Sequence, residues 1–262
     1  MIDLETAIIF NKKVASGTFL MGIRSEEMAV EARPGQFVMI RVRSGIDPLL
    51  RRPFSICAVR GGDLLLILYR VVGKGTRIMS EAGKGEKISI LGPLGRGFEL
   101  PEKGGDSLLI SGGIGVAPLV FLSRVMKKDS PAFLMGYRSS NELVLLEEVG
   151  LSGENIHIST DDGTAGYHGF VTGLLARYLR ESKKKPSGIF VCGPLPMMKK
   201  AVEISANRGI PCQVSLESSM ACGIGACQGC AVKSAHGQPK EYLHVCQDGP
   251  VFDAAGLNWD RL

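Results

Sequence analysis

The sequence predicts a β plus α/β protein: an N-terminal antiparallel β-barrel, a doubly wound parallel-sheet nucleotide domain and a small C-terminal cysteine-bearing domain. Three observations predict it. Short β-type runs punctuated by turn signals fill the first part, strands alternating with helical stretches fill the middle, and four cysteines gather in the tail. The boundaries are drawn at 1–101, 102–216 and 217–262.

In the first part, strands are expected at Glu5 to Phe10, Thr18 to Ile23, Gln36 to Val42, Ser55 to Val59, Leu64 to Val71 and Lys87 to Leu91, with Pro34-Gly35, Gly61-Gly62 and Gly92-Pro93 between them. One helical segment, Thr76 to Ala82, follows Gly73-Lys74-Gly75. A Gly-rich turn running into a helix is an anion-binding arrangement, because the first N–H groups of the helix are unpaired. Arg51-Arg52-Pro53-Phe54-Ser55-Ile56 is placed just before a strand, and Tyr69-Arg70 ends the next one. Guanidinium forks match phosphate oxygens and stack on flat rings. Taken singly, each arginine could be a surface residue and each ring a barrel filler; taken with Gly73 and Gly75 they read as a flavin site.

The second part begins after Lys103-Gly104-Gly105, with strands expected at Ser107 to Ser111, Ala132 to Gly136, Asn155 to Thr160, Gly188 to Cys192 and Gln213 to Leu216. Helices are expected at Gly169 to Arg180 and Pro196 to Asn207. The run from Gly112 through Gly113 and Gly115 to Pro118 follows the first strand and opens a helix, where a dinucleotide diphosphate rests on backbone N–H groups. Pro118 replaces the third glycine of the usual fingerprint and suits a first helical turn. The same glycines could serve only to pack the helix closely. Asp161 and Asp162 close another strand, where a carboxylate can take ribose hydroxyls and repel a 2'-phosphate, which favours NADH; the alternative is an Asx turn or helix cap.

In the tail, Cys222, Cys227, Cys230 and Cys246 fall in the order C-x4-C-x2-C plus a distant fourth, the plant-type spacing for a [2Fe-2S] cluster. The residues between the first three are mostly small, so the backbone can wrap a cluster. A structural zinc site is the alternative, although zinc thiolates usually come as two short knuckles and only Cys227 and Cys230 look like one. A disulfide framework fits worse: the seven cysteines are odd in number, and Cys57, Cys192 and Cys212 lie singly in apolar runs. A tail of this size buries little surface unaided and is expected to depend on its cluster.

Composition restricts the remaining classes. A chain of 262 residues with 45% hydrophobic and 22% charged content suits a globular protein. The start, Met1-Ile-Asp-Leu-Glu-Thr, lacks a signal-peptide core and no apolar run is long enough to cross a bilayer, so a cytoplasmic location is expected. The formal charge of +5 is modest, and Lys183-Lys184-Lys185 reads as a solvated helix end rather than a nucleic-acid stripe.

The order R-P-F-S, Y-R, G-x-G-T, G-G-I-G-x-x-P, C-G-P and a terminal cluster loop resembles the ferredoxin-NADP reductase superfamily over about the first 216 residues. The stretches from Glu217 to Cys227 and from Val245 to Phe252 resemble the electron-transfer subunits of class 1B dihydroorotate dehydrogenase, so the similarity spans essentially the whole chain. This resemblance implies that Arg52, Pro53, Phe54 and Ser55 hold FAD, with Leu68, Tyr69 and Arg70 beside it and Gly75 and Thr76 at its diphosphate. It implies that Gly113, Gly115, Cys192, Gly193 and Pro194 lie on the NAD side, and that the four tail cysteines are cluster ligands. It further implies electron transfer between NAD(H), FAD and the cluster, and an FMN-containing catalytic subunit that oxidises dihydroorotate to orotate in pyrimidine biosynthesis, as a heterotetramer of two of each. No residue of this chain is expected to act as a general acid or base. Many superfamily reductases end in an aromatic residue over the flavin, whereas this chain continues to Trp259 and Leu262, and Trp259 is expected to serve packing or a subunit contact. The rival readings are a reductase subunit of a hydrogenase, a sulfide dehydrogenase or a ferredoxin-NAD(P) oxidoreductase and, farther off, a zinc-bearing binding module.

Overall fold

A computed structural model describes residues 1–101, 105–126, 131–151 and 155–262. Lys103 and Gly104, at the first expected boundary, lie outside the described residues. Six strands, β1 (Ile2–Ala15), β2 (Thr18–Arg24), β3 (Phe37–Arg41), β4 (Arg52–Arg60), β5 (Leu64–Arg70) and β6 (Lys87–Leu94), close an antiparallel barrel in the order β1-β2-β5-β4-β3-β6. Closure removes the unpaired edges of an open sheet. The β5 run is apolar from Leu64 to Tyr69 because both of its faces are covered. Leu65, Ile67 and Tyr69 fill the barrel with Ile23, Ile40 and Ile56, whereas Leu66 and Leu68 pack outward against the nucleotide domain.

Two short helices interrupt the barrel. The first, α1 (Glu26–Glu31), is not anticipated by the sequence reading; Ser25 caps it, its hydroxyl accepting the Met28 N–H at 3.3 Å. The second, α2 (Lys74–Glu81), begins two residues earlier than expected. Thr76 ties its start: its hydroxyl accepts the N–H groups of Val72 and Gly73 at 2.9 and 3.1 Å. The R-P-F-S run needs correction. It is the opening of β4 rather than the stretch before a strand, with Pro53 opposite Met39. Proline is tolerated there because the start of a strand can forgo a ladder N–H.

The nucleotide domain contains β7 (Ser107–Gly112), α3 (Val116–Val125), β8 (Ala132–Tyr137), β9 (Ile156–Thr160), β10 (Tyr167–His168), α4 (Val171–Glu181), β11 (Gly188–Cys192), α5 (Leu195–Ala206) and β12 (Cys212–Ser215). The tail adds β13 (Ala231–Lys233), β14 (Tyr242–His244) and β15 (Val251–Asp253). The large sheet runs β10-β9-β8-β7-β11-β12-β15, parallel as far as β12. Strand order reverses at β7, and in open α/β sheets ligands settle outside the carboxyl ends of the strands at such a point. β15 pairs antiparallel with β12, Val214 opposite Phe252, so the tail ends on the nucleotide sheet. β13 and β14 form a separate hairpin between Cys230 and Cys246. Trp259 is a packing residue, its indole N–H donating to the Ala254 carbonyl at 2.8 Å. No helix among the described residues is long and apolar enough to cross a membrane.

Candidate functional site

A cavity of about 480 Å³ opens between the barrel and the segment after β12. Pro53, Phe54, Ser55, Leu68, Tyr69, Arg70 and Thr76 line it from the barrel side, and Glu217, Ser218, Ser219 and Met220 from the other. Apolar and aromatic faces edged by hydroxyls suit a flat ring system with polar rims. Tyr69 is fixed: its ring stacks on Phe19 at 5.8 Å and meets Phe54 edge-on at 5.9 Å, and its hydroxyl donates to Asn11 Oδ1 at 3.0 Å. Burial pushes that phenol up to about 12. Arg52 and Gly75 stand together beside this cavity rather than on its wall; a Cβ on Gly75 would come within 2.6 Å of Arg52 Nε, so the arginine side chain lies directly across the α2 start.

A second cavity, of about 560 Å³, lies at the carboxyl ends of β7, β8 and β11, where the strand order reverses. Gly113, Asp161, Gly193, Pro194 and Arg70 line it. The two glycines of the G-x-G run separate here. Gly113 adopts φ +53° with no atom near its missing side chain, whereas a Cβ on Gly115 would fall 2.4 Å from the Cys192 carbonyl oxygen. Gly115 and Cys192 therefore form the packed floor beneath the cavity. The two aspartates separate as well. Asp161 faces the cavity, while Asp162 makes an Asx turn, accepting the Thr164 hydroxyl at 2.6 Å and its N–H at 3.0 Å, bonds that hold the Asp162 carboxyl below its ordinary range. Burial, with the Glu217 carboxylate adding to it, raises the Cys192 thiol.

The two cavities share a wall. Arg70, Ile114 and Glu217 border both. Glu217 opens onto the two cavities yet is ringed by enough protein that burial raises its pKa. The sequence reading assigned no role to Glu217, to Glu142, whose Oε1 accepts Arg70 Nη2 at 2.8 Å, or to Phe170, which stands 70% exposed on the second cavity's rim. An aromatic residue after Gly169 at a helix start was a readable signal for Phe170; the other two become visible only when the barrel meets the sheet.

From Glu217 the chain runs along the first cavity as far as Met220 and enters the cysteine loop two residues later. The four sulfurs fall into two pairs. Cys230 and Cys246 Sγ lie 3.3 Å apart, both residues buried, and Cys227 N–H points at Cys222 Sγ at 3.4 Å. Among the described residues no three potential ligands converge on a single point, as they would around one zinc ion. Further N–H groups face the sulfurs: Gly225 to Cys246 at 3.1 Å and Ile224 to Cys222 at 3.5 Å. Burial works upward on the Cys222 thiol, but the N–H groups of Ile224, Cys227 and Ala226 outweigh it and bring it to about 6. A pair of cysteines met by backbone donors on each side fits a two-iron cluster better than a mononuclear site. Gln228 bends the loop at φ +60°, its amide donating to the Gly225 carbonyl at 2.8 Å. Gly223 seats the loop on the barrel, where a Cβ would fall 2.5 Å from Met39 Cγ and 3.4 Å from Leu94 Cδ1.

Residues 217–258 match the family model of the iron-sulfur cluster binding domain of dihydroorotate dehydrogenase B, and residues 109–203 match that of the oxidoreductase NAD-binding domain. The electron transfer subunit of dihydroorotate dehydrogenase B (NAD(+)) from Desulforamulus reducens is 40% identical over 250 residues, which cover 94% of this chain and 95% of that protein. Its counterpart from Fusobacterium nucleatum is 38% identical over 252 residues, 94% of this chain and 95% of the relative. Among solved structures, an NADH-dependent reduced ferredoxin-NADP oxidoreductase superposes with a TM-score of 0.84 at 30% identity, covering 97% of this chain and 90% of that one. With its barrel, reversed-order sheet and paired-cysteine loop, this chain belongs to the electron-transfer subunits of dihydroorotate dehydrogenase B, within the ferredoxin-NADP reductase superfamily.

Proposed function

We propose that the barrel cavity takes the flavin of FAD, that the second cavity takes NAD(H), and that Cys222, Cys227, Cys230 and Cys246 hold the [2Fe-2S] cluster. The function is that of the family: electron transfer linking NAD(H), FAD and an iron-sulfur cluster to the dihydroorotate dehydrogenase catalytic subunit in pyrimidine biosynthesis. When bound, the flavin supplies the conversion between a hydride pair and single electrons, and the cluster carries single electrons.

One observation carries the residue assignment. The second cavity, the wall of Arg70, Ile114 and Glu217, the first cavity, and the 217–220 segment that runs into Cys222 are contiguous in that order. The chain's own part is to hold and orient. Phe54, Ser55, Leu68, Tyr69 and Thr76 shape the flavin wall, with Pro53 and Arg70 beside them, and Arg52 crosses Gly75 at the α2 start to meet the flavin's diphosphate. Gly113, Gly193 and Pro194 present backbone to the dinucleotide, Gly115 and Cys192 form the floor, and Asp161 takes a ribose hydroxyl. No side chain is required to move a proton as general acid or base.

The same reading divides the chain at 1–101, 102–216 and 217–262, and places it in the cytoplasm as one of two copies in a heterotetramer with two copies of the FMN-containing catalytic subunit. Anaerobic purification with that subunit, followed by absorption spectra before and after NADH and by flavin, iron and zinc assays, tests it. One FAD and two irons per chain, bleached by NADH, is the expected result. Zinc in place of iron, with FMN from the partner but no FAD, would overturn the reading.

A further inference from the structure

Arg70 is the residue on which the two cavities meet, and its guanidinium is already engaged. It ends β5 on the barrel and borders the flavin-side cavity, the nucleotide-side cavity and a narrow cleft between Thr18, Gly113 and Tyr137. Its acceptor among the described residues is Glu142, with Nη2 to Oε1 at 2.8 Å. Glu142 borders the nucleotide cavity and the cleft, but not the flavin cavity. The carboxylate therefore holds Arg70 from the nucleotide side.

The backbone that carries Glu142 does not need this ion pair to stay in place. Ser16 N–H donates to the Asn141 carbonyl at 3.1 Å and Leu145 N–H to the Val14 carbonyl at 3.3 Å. Farther along the segment, Lys12 pairs with the Glu148 side chain and Arg60 donates to the Glu148 carbonyl at 3.1 Å. The segment is stitched to the barrel at several points that touch neither cavity. Glu142 and Arg70 side chains are 18% and 36% exposed, so the pair is wet enough to exchange partners. A guanidinium has five N–H donors, and a diphosphate is the better matched bidentate acceptor.

We infer that Glu142 is an internal competitor for Arg70, occupying the guanidinium until the diphosphate of a nicotinamide dinucleotide displaces it. Glu142 thus acts through Arg70 as a positioning residue. Its effect is to keep dinucleotide binding loose enough for release in each turnover, at a point where an unopposed arginine would hold the diphosphate tightly. The inference rests on the reading that this cavity takes NAD(H).

The test is calorimetric titration of NAD+ into the complex of this chain with its catalytic subunit, for the parent and for Glu142→Gln, Arg70→Ala and the double variant. Glutamine keeps the shape and loses the charge. Glu142→Gln is expected to bind NAD+ about two- to fivefold more tightly, the range that an exposed ion pair covers. Arg70→Ala is expected to bind more weakly, and adding Glu142→Gln to it is expected to change nothing further. Glu148→Gln, which breaks a neighbouring ion pair away from both cavities, serves as the control for general loosening and should leave NAD+ affinity unchanged. If Glu142→Gln is poorly folded, Glu142→Asp, which draws the same charge back by one methylene, should tighten NAD+ binding to a smaller degree.

Unchanged or weaker NAD+ binding in Glu142→Gln would overturn the inference, as would the same tightening in the Arg70→Ala background or in the Glu148→Gln control. A change in FAD retention with NAD+ affinity constant would assign Arg70 to the flavin's diphosphate and overturn it too. A parent complex that binds no NAD+ sinks the assignment of the cavity itself; a parent that binds NAD+ normally while Glu142→Gln fails to tighten sinks only the competitor.

Discussion

Alanine at Gly115 and alanine at Gly113 should injure one turn by different physics. At Gly115 the backbone angle suits any residue, since φ is −59°, but the new methyl would stand 2.4 Å from the Cys192 carbonyl oxygen and 2.7 Å from the Gly193 nitrogen. Both obstacles are main chain on β11 and its turn, so no side-chain rotation relieves them. The turn and strand must separate by roughly 0.6–1 Å, and overpacking of this kind costs about 1–3 kcal/mol, here at the upper end. For a chain of this length about 3 kcal/mol lowers the melting temperature by about 6–12 °C. At Gly113 no atom lies within 4 Å, and the cost is the left-handed backbone at φ +53°, about 1–2 kcal/mol. Thermal unfolding of the FAD-loaded protein, followed by flavin fluorescence, should therefore rank the parent above Gly113→Ala and Gly113→Ala above Gly115→Ala. A Gly115→Ala protein that melts within a degree of the parent would refute the argument that this glycine is fixed by contact with Cys192.

Three further outcomes are expected. Cys227→Ser should lose the cluster signal in electron paramagnetic resonance and stop reduction of the partner, because a hydroxyl holds iron poorly, while NADH still bleaches the flavin; an unchanged partner rate would take the cluster off the path. Asp161→Arg should raise the preference for NADPH over NADH in steady-state kinetics, by exchanging a group that repels a 2'-phosphate for one that attracts it, and an unmoved ratio would leave Asp161 structural. Glu217→Gln should change the pH dependence of stability with a defined sign. Burial raises the Glu217 pKa above its ordinary 4.5, so the folded state binds this proton more tightly than the unfolded chain does. The native carboxyl therefore costs progressively more stability as pH rises from that ordinary value through the raised one, and the advantage of Glu217→Gln in denaturant titrations should grow over that interval and then level off. An advantage independent of pH would show that Glu217 ionises as it would in water.

Where the sequence was legible, local chemistry and tertiary demand agreed. The barrel strands, the parallel strands and the cysteine spacing could be read because alternation, turn residues and thiolate order are properties of short stretches. α1 was missed because six residues give too little periodicity, although Ser25 marks its cap. The R-P-F-S run reads as lying before a strand expected from Ser55, and only the register with Met39 shows that the strand already starts at Arg52. Gly112 to Pro118 left open a choice between packing and binding that no single sequence could resolve, since Gly113 and Gly115 differ in what lies opposite them rather than in kind. Asp161 and Asp162 pose the same problem, and the Asx turn belongs to the second of them. Glu142 and Glu217 carry no signal in the sequence because each matters through a neighbour from another domain.

The pairing of β15 with β12 has a bearing on how the chain keeps apart from its own copies. The chain leaves the sheet at Ser215, makes the whole cysteine loop and returns at Val251 to lie along the strand it left. Both ends of the loop are thus moored to one strand, and the returning strand covers what would otherwise be the open border of a hydrophobic parallel sheet. Exposed borders of that kind recruit strands from other chains. A polypeptide whose last strand came away from β12 would forfeit more than electron transfer: it is expected to present an adhesive β12 margin to its own copies, so that the docking of β15 bears on solubility as well as turnover.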